Sequence, residues 1–333
     1  MVGALAREGV AIAVGALVDA HGEGRRRATF HARFPHGGPD EVGFMRARSH
    51  AIVAIDACPL FAPALRAAPQ VARAVAGALR GLAKPLDIAI AATRDGLDVD
   101  VRGCGALDRA ATLKLIEAAQ KFDLARLSNH GAVVVEGRAP RVAFGAALVT
   151  LPPGGFLQAT EAGECALAER VEAAMAGARR VADLFCGAGA FALRLARRCE
   201  VAAYDSDAAS IAALKRAAAA TPSLRALTAE TRDLFHRPLR PEELASFDAV
   251  LFDPPRAGAA PQARRLAESR VPLVVAISCN PLTFARDARL LLEGGYVAGE
   301  ATPLDQFRFS PHVEIVAAFR RPRAPRRARR LLG

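Results

Sequence analysis

Three stretches of the chain end an apolar run on a side chain that could do chemistry. "LVVAISCNPLTF" stops at Ser278 and Cys279, then turns through Asn280 and Pro281. Asn suits a helix cap and Pro suits the first helical turn, so Cys279 is expected beside a helix N-terminus. The partial positive charge there favours thiolate over thiol, which makes Cys279 a candidate nucleophile. "FDAVLFDPPRAG" stops at Asp253, and two prolines hold the chain extended beyond it, so the carboxylate is presented at a fixed place. In "LDQFRFSPHVEIVAAF", Glu314 leads into a final apolar run and is a candidate proton acceptor. His312 would share its side if the whole segment were a strand.

Side chains so far apart in sequence need a scaffold that gathers them. From residue 151 onward, continuous apolar runs ("RVADLF", "VAAYD", "FDAVLFD", "VPLVVAISC") alternate with amphipathic ones ("FALRLARR", "ASIAALKRAAAA"). That rhythm indicates a doubly wound α/β fold with a parallel sheet, in which ligands sit beyond the carboxyl ends of the strands. "DLFCGAGAFA" places Gly187 and Gly189 between such a strand and its helix, where small residues let a ligand approach the backbone. The next strand ends in Asp205, placed to accept hydrogen bonds from a ribose. The glycines also satisfy G-x-G-x-x-A, so this segment does not separate a nicotinamide cofactor from S-adenosylmethionine.

The first half reads as a smaller α+β domain. Period-two patterning predicts strands over 25–34 and 51–56, and Asp95-Gly96 marks a tight hairpin. Helical spacing covers 62–82 and 109–122, and further strands are expected at 132–136 and over 141–151. The expected organisation is therefore 1–150 as an α+β domain, 151–320 as the doubly wound domain, and 321–333 as a basic mobile tail.

A net charge of +11 suggests a polyanionic partner, although nearly all of it is Arg, with Lys only at 84, 114, 121 and 215. The six cysteines (58, 104, 165, 186, 199 and 279) form no C-x-x-C, so neither zinc nor a disulfide framework is suggested, and a reducing cytoplasm fits. The apolar stretch Val10–Val18 is too short to span a bilayer, so a soluble chain is expected.

Taken in order, "FLQ" (156–158), "DLFCGAGAF", "DPPRAG", "SCNPLTFARD" and "DQFRFSPHVE" resemble the S-adenosylmethionine-dependent RNA uracil-C5 methyltransferases, particularly the bacterial branch acting on 23S rRNA. The resemblance implies a class I, Rossmann-like methyltransferase domain, an RNA substrate and S-adenosylmethionine as cofactor. It implies Cys279 as nucleophile and Glu314 as base. Cofactor contacts fall on Gln158, Phe185, Gly187, Gly189, Asp205, Asp233 and Asp253, and Phe156 would stack near the target base. The sequence departs from the family pattern at Ala190, where Asn is common, and at Arg308, where Pro is usual. Relatives also carry an N-terminal RNA-binding barrel and an iron–sulfur cluster. Here only Cys58 of the cluster set is present, so no cluster is expected in this chain, which reads as short at its N-terminus. We expect a monomer. Other readings at this stage are a tRNA uracil-C5 methyltransferase, a methyltransferase acting on a base nitrogen, a nicotinamide-dependent oxidoreductase and a non-catalytic RNA-binding remnant.

Overall fold

The computed structural model describes residues 1–322 apart from Gly37 and Arg48, so the tail expected over 321–333 lies outside the described residues from 323 onward. Two sheets organise the molecule. The first has seven strands in the order Ile52–Ala54, Glu41–Met45, Arg27–Arg33, Leu86–Thr93, Gly96–Arg102, Arg126–Asn129 and Ala132–Glu136. Its strands follow the period-two pattern: Ala28, Phe30 and Ala32 are buried while the residues between them are not. The helices Ala68–Leu79 and Arg109–Lys121 cover this apolar face through Val71, Val75, Leu79 and Leu115. Asp108 caps the second helix by accepting from the Ala111 backbone N–H. The expected hairpin turns at Asp95-Gly96, with Gly96 at φ +124°.

The second sheet has nine strands, along the order Val18–Asp19, Thr302–Asp305, Glu314–Arg320, Leu273–Ser278, Ala249–Phe252, Arg180–Leu184, Glu200–Asp205 and Leu227–Thr231, with Val297–Ala298 beside Glu314–Arg320. Its central strands run parallel and are buried on both faces. Val275 and Ile277 face a core with Leu167, Val171 and Leu214, while Val274 and Ala276 face one with Phe284, Leu266 and Leu291. From Arg180–Leu184 the chain pairs first with Glu200–Asp205 and later, on the other side, with Ala249–Phe252. The strand order reverses between those neighbours, which opens a crevice at their carboxyl ends.

Three elements differ from the sequence expectations. The run 141–151 is a hairpin of two short strands, Arg141–Phe144 and Ala147–Thr150, because Gly145 takes φ +62° and reverses the chain. Its Val142, Phe144, Ala147 and Val149 pack into the core of the second sheet. "FALRLARR" forms only one helical turn, Ala192–Leu195. The first twenty residues join the second sheet: Val18–Asp19 pairs parallel with Leu304–Asp305, and Leu5 and Val10 enter its core. Among the described residues no helix is long and apolar enough to cross a membrane.

Candidate active site

The crevice at the strand-order reversal is built by local rules. Beyond Leu184 the chain turns through Phe185 at φ +65°, Gly187 at φ +52° and Gly189 at φ +91°. The two glycines serve different ends. A Cβ on Gly189 would lie 2.3 Å from the Leu214 side chain, so its lack of one lets the loop pack on the helix Ala208–Ala220. A Cβ on Gly187 would meet nothing within 4 Å, so that backbone faces open space. Asp205 pins the loop by accepting the Gly187 N–H at 2.8 Å, and its other oxygen accepts the Asp207 N–H at 2.9 Å. Phe185 packs between Phe235 and Phe252, with ring centroids 5.6 Å and 6.0 Å away. Asp233 follows the next strand, but its carboxylate accepts the Phe235 N–H at 2.9 Å and the His236 N–H at 3.2 Å and lies 2.7 Å from the His236 ring. Its oxygens are thus committed to their own turn.

Across the crevice Asp253 follows Ala249–Phe252, and its N–H donates to the Leu184 carbonyl at 3.3 Å. Burial, then the nearby Glu314 and Asp183 carboxyls, raise its carboxyl well above the usual range. Asp183 itself is fully buried under the loop, and neither carboxylate oxygen has a hydrogen-bond partner among the described residues. Burial, with Asp205 adding to it, pushes the Asp183 carboxyl up to about 8.

Cys279 lies just past Leu273–Ser278 and is half-buried. Asn280 caps the following helix as expected, accepting the Leu282 N–H at 3.1 Å and donating to the Arg256 carbonyl at 3.0 Å. The strand Glu314–Arg320 runs antiparallel beside Leu273–Ser278 with Ser278 opposite Ile315, so the next step of the ladder sets Cys279 against Glu314. This neighbourhood works against the expected thiolate. Burial, then Glu314, then Asp253 push the Cys279 thiol up to about 11, and Arg256 offsets only part of this. The helix terminus acts over one turn, whereas the carboxyls arrive from other strands.

Glu314 is 5% exposed, and burial raises its carboxyl to about 7, against the Gln306 amide, Arg27 and Arg256, which all favour the anion. His312 is corrected: it lies in a loop outside the strand, with Nδ1 3.2 Å from the Arg256 guanidinium and its ring against Phe307. Sharing a strand face with Glu314 is therefore not its role.

The "FLQ" segment is held from several sides. Gln158 is buried; its Oε1 accepts from Gln306 Nε2 at 2.9 Å and its carbonyl accepts from Arg26 Nε at 3.1 Å. Arg27 donates to the Leu157 carbonyl, and its guanidinium lies over the Phe156 ring, 4.8 Å from the centroid. Phe156 is otherwise 64% exposed at the rim. Arg26 is paired with the buried Glu164 at 2.5 Å, and Arg194 meets the same carboxylate at 3.0 Å.

The fold thus gathers Gln158, Phe185, Gly187, Asp205, Asp253, Cys279 and Glu314 around one crevice, and Asp233, like Asp205, accepts nearby backbone N–H groups. Sequence reasoning missed roles for Asp183, Gln306 and the Arg256 side chain. A lone Asp inside the apolar "RVADLF" was a signal for Asp183, and Arg256 and Gln306 lie inside the "DPPRAG" and "DQFRFSPHVE" motifs. Cys58 stands apart, and among the described residues no three His, Cys, Asp or Glu side chains converge on a metal site.

A doubly wound sheet with a glycine loop at its reversal, preceded by a smaller α+β unit, defines a Rossmann-like nucleotide-binding fold. The crystal structure of Pyrococcus abyssi tRNA (uracil-54, C5)-methyltransferase in complex with S-adenosyl-L-homocysteine has the same fold, at TM-score 0.70 and 24% identity over 95% of this chain and 80% of that one. The chain belongs to the tRNA (uracil-5-)-methyltransferase family, whose profile matches residues 154–321. It is 46% identical over 323 residues to an uncharacterized RNA methyltransferase of Brucella suis, covering 97% of this chain and 78% of that protein. It is 37% identical over 311 residues to the Pseudomonas fluorescens 23S rRNA (uracil(1939)-C(5))-methyltransferase RlmD, covering 89% and 67% respectively. This membership replaces the nicotinamide reading of G-x-G-x-x-A.

Proposed function

We propose that the chain methylates C5 of a uridine in RNA, with 23S rRNA as substrate, through a transient bond between Cys279 and C6 of the base. The observation that supports this reading is the antiparallel register that ends with Ser278 opposite Ile315, so that Cys279 and Glu314 follow at the same edge of the sheet. The crevice suits S-adenosylmethionine: open space over Gly187, the carboxyl groups of Asp205 and Asp253, the Phe185 ring and the Gln158 amide are the groups that would hold a nucleoside with a cationic methionine end. When bound, that cofactor supplies an electrophilic methyl group.

Uracil C5 is too weak a nucleophile to accept a methyl group unaided. The Cys279 sulfur adds to C6, the C5–C6 π electrons move toward the C4 carbonyl, and C5 becomes electron-rich. After alkylation C5 still carries its hydrogen. Glu314 takes that proton, the C5–C6 double bond re-forms, and the C6–S bond breaks to return the thiolate. With a carboxyl near 7, Glu314 is poised for this near neutrality. Cys279 first gives its S–H proton to solvent, and the resulting thiolate is the form that adds to C6. Phe156, exposed and backed by Arg27, offers a ring on which a base drawn out of folded RNA can stack.

The identity to RlmD favours rRNA over tRNA. The test is methyl transfer from labelled S-adenosylmethionine to unmodified 23S rRNA and to tRNA, with wild type, Cys279→Ala and Glu314→Gln. The alanine variant should give no product, and the Gln variant should trap a protein–RNA adduct because elimination is blocked. Label on a ring nitrogen would refute the mechanism; label confined to tRNA would refute the substrate.

A further inference from the structure

Gln306 is completely buried between the "FLQ" segment and the strand that begins at Glu314. Its amide orientation follows from its partners. The Thr160 backbone N–H can only donate, and it points at Gln306 Oε1 at 3.3 Å. Gln306 must then present Nε2, its donor, to Gln158, whose Oε1 accepts at 2.9 Å. That fixes Gln158 as well: with its oxygen engaged, its own amide nitrogen is left to donate elsewhere. The Gln306 amide has two N–H groups, and Leu304, two residues before it, is the antiparallel ladder partner of Glu314, which brings the amide to the Glu314 side of the sheet. One side chain, shut off from water, therefore bonds a group assigned to the cofactor and neighbours a group assigned to the base.

We propose that Gln306 is a positioning residue that couples Gln158 to Glu314, so that cofactor binding and the proton-accepting carboxylate are set together. The proposal rests on the roles given above to Gln158 and Glu314. A neutral linker suits the task, because it can orient both partners without adding charge to a crevice that already holds Asp183, Asp253 and Glu314. The other groups facing Glu314 are Arg27 and Arg256, which favour its anion, and Cys279 and Asp253, which share the crevice.

The test is a double-variant cycle on the full chain: S-adenosylhomocysteine affinity, by calorimetry, for wild type, Gln158→Leu, Gln306→Met and the pair. Loss of a single hydrogen bond should weaken each single variant about five-fold. The double variant should be little weaker than the worse single one, because the two side chains act as one unit. The second readout is the pH profile of kcat/KM on RNA. The acidic midpoint, near 7 in wild type, should move upward in Gln306→Met, which cannot hydrogen-bond to the carboxylate, and further in Gln306→Glu, which adds a like charge. Gln306→Glu also serves if the Met variant does not fold. Independent, multiplying losses in the cycle, or an acidic midpoint that stays fixed, would overturn the coupling. A wild type that binds S-adenosylhomocysteine but methylates no uridine would instead overturn the functional reading, while the binding cycle still decides the coupling.

Discussion

Replacing Glu314 with Gln should make Cys279 more reactive in the free protein, even as it blocks turnover. The Cys279 thiol stands at about 11 against an ordinary 9.0, with burial the largest cause, Glu314 second and Asp253 third. Neutralising a nearby carboxylate lowers a thiol by about one pKa unit. At pH 8 that takes the thiolate fraction from about 0.1% to about 1%. A less basic thiolate is also a poorer nucleophile, with a Brønsted slope of about 0.4–0.5, so the tenfold gain shrinks to about three- to four-fold in rate. Peptide-resolved iodoacetamide labelling measures this, with the buried Cys104, Cys186 and Cys199 as slow internal references. The pH dependence separates charge from packing. Since the Glu314 carboxyl titrates near 7, it is mostly ionised at pH 8 and mostly neutral at pH 6, so the advantage of the Gln variant should fade at pH 6. Equal labelling of the two proteins at pH 8, or a wild-type Cys279 half-ionised near pH 8, would refute the account of this thiol.

Two stability predictions follow from the packing around the loop and its support. Gly189→Ala should destabilise the protein by about 2–3 kcal/mol, through a left-handed backbone and a collision with Leu214, whereas Gly187→Ala should cost only about 1 kcal/mol, through backbone conformation alone. Urea unfolding compares the two, and equal losses would contradict the distinction. Glu164→Gln should cost about 3–5 kcal/mol in the same assay, because it leaves the Arg26 and Arg194 guanidiniums buried around a neutral amide. It should also weaken S-adenosylhomocysteine binding, since Arg26 holds the Gln158 carbonyl. A loss below about 1 kcal/mol would show that the pair is not needed to hold the segment.

What was legible in the sequence is what is encoded within a dozen residues. The positions of Asp205, Asp253 and Cys279 at strand ends follow from where apolar runs stop, and the Asn280 cap follows from Asn-Pro before a helical run. What was not legible depends on which strands become neighbours. Val18–Asp19 finds its partner at Leu304–Asp305, almost the whole chain away, and no local pattern announces that. The electrostatics of Cys279 have the same origin. Its helix terminus is a local feature, but the two carboxyls that oppose it come from the strand before the double proline and from the last strand, which inserts antiparallel into an otherwise parallel centre. That inversion also has a chemical consequence. Cys279 lies where its strand ends and Glu314 where the next strand begins, so only an antiparallel neighbour brings the two to the same edge of the sheet. Entering in parallel, the strand would place Glu314 at the opposite edge, away from the crevice. The reversed last strand is therefore the feature of the fold on which the proposed pairing of nucleophile and base depends.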